Sequence, residues 1–144
     1  VNTASAQSAT QTVTFQVTAI NQIAVTGTPS LVINSAAAGS APTAVTSSGN
    51  TWSVTTNQTG ASITASIPTA MPTGVTLSAN LTAPSGATST GLTALGTTAV
   101  NVVTGISKLN ASGLALAYQL DATAAAGVVT SATRVVTFTI TGGV

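Results

Sequence analysis

Apolar and polar residues alternate with a period of two along most of this chain, and Thr and Val supply many of the alternating positions. The clearest run is 12–18, which places Val13, Phe15 and Val17 on one face of an extended strand. A second clear run covers 134–141. Because strand side chains point alternately to two faces, whereas a helix repeats about every 3.6 residues, this pattern predicts strands. No segment sustains the helical period, so we expect an all-β protein.

Gly, Pro, Asn and Ser residues interrupt the alternating runs at short intervals, which indicates turns between strands. The alternation breaks at 19–21 before Ile23 and Val25 resume it, as a bulge or a strand switch would produce. Residues 122–127 are interpreted as a loop or a single helical turn. Eight or nine short strands are predicted in total. Two of them are the run 12–18 with its continuation at 23–25, and the run 134–141. The others centre on 31–33, 50–56, 63–67, 75–81, 100–106 and 114–120, and a short strand near Val45 within the loop 35–50 would be the ninth.

The chain length of 144 residues suits one β-sandwich domain better than two domains. Short strands separated by turns favour an immunoglobulin-like or jelly-roll β-sandwich, with a barrel as the alternative. We divide the chain into an extended N-terminal segment, 1–18, and a β-sandwich domain, 19–144.

Charged residues make up only 2% of the chain: Lys108, Arg134 and Asp121 are the complete set. Two cations cannot neutralise a useful run of phosphates, so a nucleic-acid partner is not expected. The net charge of +1 gives little repulsion between copies, and proteins near neutrality tend to associate. This composition favours a protein whose partners are copies of itself.

Most catalytic chemistry is excluded by the residues that the chain lacks. It has no His, no Cys and one carboxylate, so a Ser-His-Asp triad and a carboxylate pair are both impossible within one chain. Zinc needs His or Cys ligands, and calcium usually needs more than one carboxylate. A dyad of Ser107 and Lys108 is the remaining nucleophilic arrangement, and their adjacent positions in a predicted turn argue against it. We therefore expect no enzyme activity, no cofactor and no metal.

Two further sets of polar residues have both a structural and a functional interpretation. Asp121 and Arg134 are expected in neighbouring strands, where they would form a partly exposed ion pair or, alternatively, a contact between subunits. Three N-glycosylation sequons begin at Asn57, Asn80 and Asn110, and they matter only where the source glycosylates asparagine. Asn57 and Asn110 lie in predicted turns, so we expect them to be the more accessible pair.

The start of the chain and its hydropathy bear on location. No stretch approaches the roughly 20 apolar residues of a membrane-spanning helix. Residues 1–6 have neither the basic nor the apolar region of a signal peptide. Together with the composition, this suggests that Val1 lies near a mature N-terminus and that the protein is secreted to the cell surface or beyond.

From the 12–25 segment to the 134–141 strand, the chain resembles small secreted β-sandwich proteins of prokaryotic surfaces. Those that polymerise include the TasA/camelysin-like fibre proteins and archaeal bundling pilins. The resemblance implies a filament subunit that assembles by donor-strand exchange, in which an extended segment of one copy completes the sandwich of the next. The donor strand implied here carries Val13, Phe15 and Val17.

The run 12–18 has two interpretations: it is either this donor strand or the first strand of its own domain. The sequence accordingly supports a filament or pilus subunit as the first hypothesis. The alternatives are a surface adhesin or carbohydrate-binding module and a surface-layer or matrix protein. The few aromatic residues, 3% of the chain, are expected mostly in the core rather than in a sugar-binding strip.

Overall fold

The strands form where the alternating pattern is strongest. The segment Asn50–Thr56 is a strand in which Trp52 and Val54 point inward, as predicted, and both side chains are buried. Our computed structural model describes residues 2–144 and confirms an all-β sandwich of two antiparallel sheets. The strands are β1 (Asn21–Thr26), β2 (Val45–Thr46), β3 (Asn50–Thr56), β4 (Ala61–Ser66), β5 (Val75–Leu81), β6 (Thr88–Ser89), β7 (Thr93–Ala94), β8 (Val100–Ile106), β9 (Leu109–Ala122) and β10 (Thr137–Gly142).

The two sheets have different strand orders. Sheet I runs β1-β3-β9-β5-β7, and β2 pairs with the end of β9. Sheet II runs β10-β4-β8-β6. Every strand pair in the described chain is antiparallel.

Three predicted elements are corrected by the structure. Residues 31–33 belong to no strand, although Leu31 and Ile33 are half-buried. The loop predicted over 87–98 contains the short strands β6 and β7, which brings the total to ten. The last predicted strand begins at Thr137 rather than Arg134. The single helical turn is present as a 3₁₀ helix, Ala124–Ala126.

The core lies between the two sheets and contains no charged side chain among the described residues. Its largest fully buried side chains come from both sheets: Trp52, Ile63, Ile67, Leu81, Val102, Val103 and Ile106. Burying each large apolar side chain contributes roughly 1.5–3 kcal/mol to stability. The indole of Trp52 keeps a polar partner, because its Nε1 donates to the carbonyl oxygen of Thr82 at 3.1 Å.

Two short connections cross from one sheet to the other at the same end of the sandwich, which we call the crossover end. Residues 57–60 join β3 to β4, and residues 107–108 join β8 to β9. The two connections are hydrogen-bonded: Lys108 N donates to Gln58 O at 2.9 Å, and Gly60 N donates to Ser107 Oγ at 2.9 Å. Lys108 has a φ of 45°, in the left-handed region that so short a link requires. The start of β1 and the end of β10 lie at this end, and we call the other end the far end.

The core also includes the one tyrosine of the chain. Tyr118 lies on β9 opposite Ala79 of β5, and its side chain is buried. Burial favours the neutral phenol and raises the pKa of Tyr118 from 10.0 to about 12.

We predict that this burial limits stability in alkali. The folded pKa lies above the unfolded value, so the stabilisation is complete below about pH 10 and is lost as the pH rises towards 12. The expected loss is on the order of 1–2 kcal/mol. Urea unfolding at about pH 8 and about pH 11.5, compared between the native chain and Tyr118→Phe, measures it. The Phe variant should lose less stability, and equal losses in both proteins would contradict the prediction.

Candidate functional site

The most unusual surface of the molecule is its N-terminal segment. Residues 2–20 precede β1, belong to no strand, and are exposed throughout. The exposed fractions of Val13, Phe15 and Val17 are 73%, 88% and 79%. Scattered apolar residues are common on protein surfaces, but three on one face of an alternating run form a strand-like apolar edge without a partner. The structure thus places 12–18 outside the strands of its own sandwich.

A second unpaired surface runs along one side of the sandwich, between β1 and β10. β1 is one edge strand of sheet I, and β10 is one edge strand of sheet II. A cleft of about 100 Å³ lies between them, and its lining residues are Ile23, Ala24, Val25, Val136 and Phe138. We call this cleft the β1/β10 groove. None of its lining residues is charged, and no backbone hydrogen bond joins the two strands in the described residues.

The opposite side of the sandwich has much shorter edge strands. The edge strands there, β6 and β7, contain two residues each and follow one another in the chain. Residues 90–92 connect them, and the hydroxyl groups of Thr90 and Thr93 are hydrogen-bonded at 2.7 Å. Very short edge strands offer little backbone for pairing with another chain. The β1/β10 side therefore has the longer edge strands, and on the opposite side β7 and β6 cover two residues each of β5 and β8.

Asn57 fixes the chain where the N-terminal segment leaves the sandwich. Its Oδ1 accepts from Ile20 N at 2.7 Å, and its Nδ2 donates to Thr18 O at 2.8 Å. Its backbone N–H donates to Ile20 O at 3.2 Å. We call these three bonds the Asn57 clamp. The clamp lies at the crossover end, directly before β1, so the alternation break at 19–21 marks the junction between segment and sandwich.

The clamp also changes the interpretation of the sequons. The side-chain nitrogen of Asn57, to which a glycan would be attached, already donates to Thr18. Asn110 is exposed, but it lies in β9 rather than in the predicted turn. Asn80 is exposed on β5. The two exposed sequon asparagines are therefore Asn80 and Asn110, and the predicted accessible pair of Asn57 and Asn110 is corrected.

The predicted ion pair between Asp121 and Arg134 is not formed. The carboxylate of Asp121 accepts from Gln119 Nε2 at 3.0 and 3.1 Å. The guanidinium of Arg134 donates to the carbonyl oxygens of Thr69 and Ala70 at 3.1 and 2.9 Å. Arg134 precedes β10 instead of lying on it, which removes the neighbouring-strand geometry on which the prediction depended.

The described residues contain no group of three or more His, Cys, Asp or Glu side chains that could hold a metal ion. The Ser107 hydroxyl accepts from Gly60 N within the crossover end, where Lys108 is exposed. In the part of the chain that the structure covers, no helix is long and apolar enough to cross a membrane. The aromatic side chains are not grouped: Trp52 and Tyr118 are buried, whereas Phe15 is exposed.

Sequence reasoning singled out the run 12–18 with two interpretations, and it missed the groove and the clamp. The groove lies between β1 and β10, which are more than a hundred residues apart in the sequence. No local pattern shows that these two strands are neighbours. Asn57 appeared in the sequence as a sequon residue, and its turn position gave no sign of bonds to Thr18 and Ile20.

The chain was compared with protein families, curated proteins and solved structures. No protein-family model matches the chain, and neither the curated proteins nor the solved structures include a match.

We predict that Asn57→Ala releases residues 18–20 from the sandwich. The variant loses the side-chain hydrogen bonds of Asn57 to Thr18 and Ile20, each contributing about 0.5–1.5 kcal/mol, and also the bond that Gln58 Nε2 donates to Asn57 Oδ1. Hydrogen exchange should show that the amide of Ile20 loses its protection, while the core amide of Val102 keeps it. Asn80→Ala is the matched control, because Asn80 is exposed and its side chain makes no hydrogen bond to any other described residue. Unchanged protection at Ile20 in Asn57→Ala would contradict the role of the clamp.

Proposed function

We propose that this protein is the structural subunit of an extracellular filament or pilus, and that it polymerises head-to-tail by inserting its N-terminal strand into the neighbouring subunit. The observation that carries the proposal is the exposure of Val13, Phe15 and Val17 on a segment outside the sandwich. Their alternation is the pattern of a strand with one buried face, and their own domain supplies no such face. The resemblance to strand-exchanging fibre proteins adds to this support.

Two contributions favour insertion of the segment: the burial of its apolar side chains and the backbone hydrogen bonds that it forms. Burying the three side chains contributes roughly 5–8 kcal/mol. The unpaired edge of an acceptor strand adds backbone hydrogen bonds, and strand addition of this kind combines both contributions. Ordering residues 12–18 costs about 1–2 kcal/mol for each backbone residue fixed, roughly 7–14 kcal/mol in all, so the apolar gain alone does not cover it. The net affinity therefore depends on both the apolar contacts and the backbone ladder.

The contact uses two different surfaces, a segment on one copy and an acceptor on the next. Such a heterologous contact leaves one unused surface at each end of any open chain of subunits. When the rotation between copies does not close a ring, repetition yields a filament. The near absence of charge supports this assembly, since no charged group of the segment must be desolvated when copies join.

The rival hypotheses receive less support from the described surface. A carbohydrate-binding module or adhesin usually presents aromatic side chains to its ligand, but Trp52 and Tyr118 are both buried. A surface-layer or matrix protein joined laterally would not need the exposed face of 12–18. We propose no catalytic role and no cofactor, and we place the protein outside the cell on the strength of the filament proposal.

Electron microscopy of the purified chain tests the proposal. The native chain should form filaments, and deletion of residues 1–18 should give soluble monomers. The triple variant Val13→Thr, Phe15→Thr, Val17→Thr should also stay monomeric, because it keeps the strand propensity of the segment but removes its apolar face. Circular dichroism and Trp52 fluorescence should match the native monomer, since the changed residues lie outside the core.

The matched control changes the other face of the same segment: Thr12→Ser, Thr14→Ser and Gln16→Ser. This variant should polymerise like the native chain. Filament formation by the Thr triple variant at the native concentration would overturn the proposal, as would a native chain that stays monodisperse at high concentration.

A further inference from the structure

The N-terminal segment and the open part of the β1/β10 groove lie at opposite ends of the molecule. The segment leaves at the crossover end, where the Asn57 clamp holds residues 18–20. At the same end the groove is bridged, because Asn21 Nδ2 of β1 lies 3.5 Å from Gly142 O of β10. No such bridge joins Val25 to Val136 at the far end in the described residues, and both line the cleft. The groove is therefore accessible from the far end.

This placement fixes the direction in which a second copy's segment would lie. Its residue 18 stays clamped to its own sandwich, so Val17 would lie at the open far end of the groove and Val13 nearest the crossover end. The segment then runs from the crossover end to the far end of the acceptor. β1 runs in that direction, and β10 runs in the opposite direction.

The direction selects β10 as the hydrogen-bonding partner. The inserted strand is antiparallel to β10 and parallel to β1. All strand pairs of the sandwich are antiparallel, and antiparallel pairing is slightly more stable per residue. β10 pairs only with β4, so its other edge is available. Insertion breaks no ladder, since no backbone hydrogen bond joins β1 to β10 in the described chain.

The side-chain pattern of β10 selects the register. Phe138 and Ile140 of β10, and Val136 directly before it, are half-buried and pack against the core, while Thr137, Thr139 and Thr141 are exposed. Directly opposite residues of an antiparallel pair share a face. One register matches three apolar pairs: Val17 with Val136, Phe15 with Phe138, and Val13 with Ile140. A two-residue shift towards the C-terminus would place Val13 opposite Gly142, which has no side chain. Seven residues of strand span about 23 Å, close to the roughly 20 Å of six-residue β10.

We propose, resting on the filament function above, that residues 12–18 of a second copy of this chain enter the β1/β10 groove at its far end and pair antiparallel with β10, with Phe15 opposite Phe138. The occupant is apolar on one face and uncharged throughout, which suits a groove without charged residues. With this strand direction, the subunits form a row in which the crossover end of each copy contacts the far end of the next copy.

The Asn57 clamp opposes the competing arrangement, in which the segment fills the groove of its own sandwich. To do so, the chain would have to reverse direction at 18–20 and run antiparallel to β1 and parallel to β10. That reversal would sacrifice the bonds of Asn57 to Thr18 and Ile20. The clamp therefore directs the segment away from its own groove and towards a neighbour.

Cysteine pairs test the polarity, because the native chain has no cysteine. The proposed register brings Gln16 next to Thr137 and Thr12 next to Thr141, all at exposed positions. The variants expected to cross-link are therefore Gln16→Cys/Thr137→Cys and Thr12→Cys/Thr141→Cys. The matched controls exchange the partners: Thr12→Cys/Thr137→Cys and Gln16→Cys/Thr141→Cys. A disulfide needs Cα atoms roughly 4.4–6.8 Å apart. Four residues of strand span about 13 Å, so only one set of pairs can cross-link.

Filaments of each variant are oxidised and run on a denaturing gel without reductant. A ladder of covalent oligomers from the two expected pairs, and none from the controls, is the predicted result. A ladder from the exchanged pairs would overturn the polarity, and an internally cross-linked monomer from them would show self-insertion instead. Filaments that give no cross-link with any pair would rule out β10 as acceptor while leaving the filament function standing. A native chain that forms no filaments would count against the filament function itself.

Electron-microscopic density of native filaments gives the same test without substitutions. A strand beside β10, antiparallel to it and belonging to the next subunit, is expected. A strand paired with β1 alone, or a groove without a strand, would overturn the inference.

Discussion

The unpaired edges of β1 and β10 are the constraint on which the rest of the structure depends. A sandwich of two open sheets has four edges, and each edge presents backbone N–H and C=O groups that need partners. On one side this chain reduces the problem with the two-residue strands β6 and β7. On the other side it leaves two six-residue strands whose side chains form an apolar groove. The two longest edge strands of the molecule thus lie along the same side.

Natural sheet proteins usually protect long edges with charged side chains, proline or bulges, which discourage pairing with another chain. Neither β1 nor β10 contains a charged residue or a proline. The three charged side chains of the protein lie elsewhere, and Arg134 is held by the carbonyl oxygens of Thr69 and Ala70. Edges without such protection are a hazard for a monomer, but they are what a subunit designed for strand addition requires. The composition and the topology therefore support the same proposal.

Local pattern was sufficient for much of the fold. The strands at 50–56, 75–81 and 100–106 have the predicted bounds, because alternation and flanking turn residues are both encoded nearby. The same reasoning failed at 31–33, an apolar run in which Leu31 packs against the core although none of the three residues belongs to a strand. It also failed for Asp121 and Arg134, whose expected contact depended on two strands being neighbours.

The run 12–18 shows why sequence left two interpretations open. Its alternation is as good as that of β3, so pattern alone cannot separate a strand of its own domain from a strand without one. The distinction depends on whether an edge of the sandwich is already occupied, which is a property of the topology. The position of β1 beside β10 also depends on the topology, and so do the hydrogen bonds that Asn57 makes with Thr18 and Ile20.

The core of the sandwich and the proposed assembly surfaces respond differently to salt and pH. The segment 12–18 and the lining of the β1/β10 groove contain no ionisable side chain, so their contact has no charge to be screened by salt or neutralised by pH. Tyr118, whose pKa burial raises to about 12, lies within the sandwich on β9. Alkali would therefore weaken the subunit before it weakened the proposed contact between subunits, because only the sandwich buries a group that alkali can ionise.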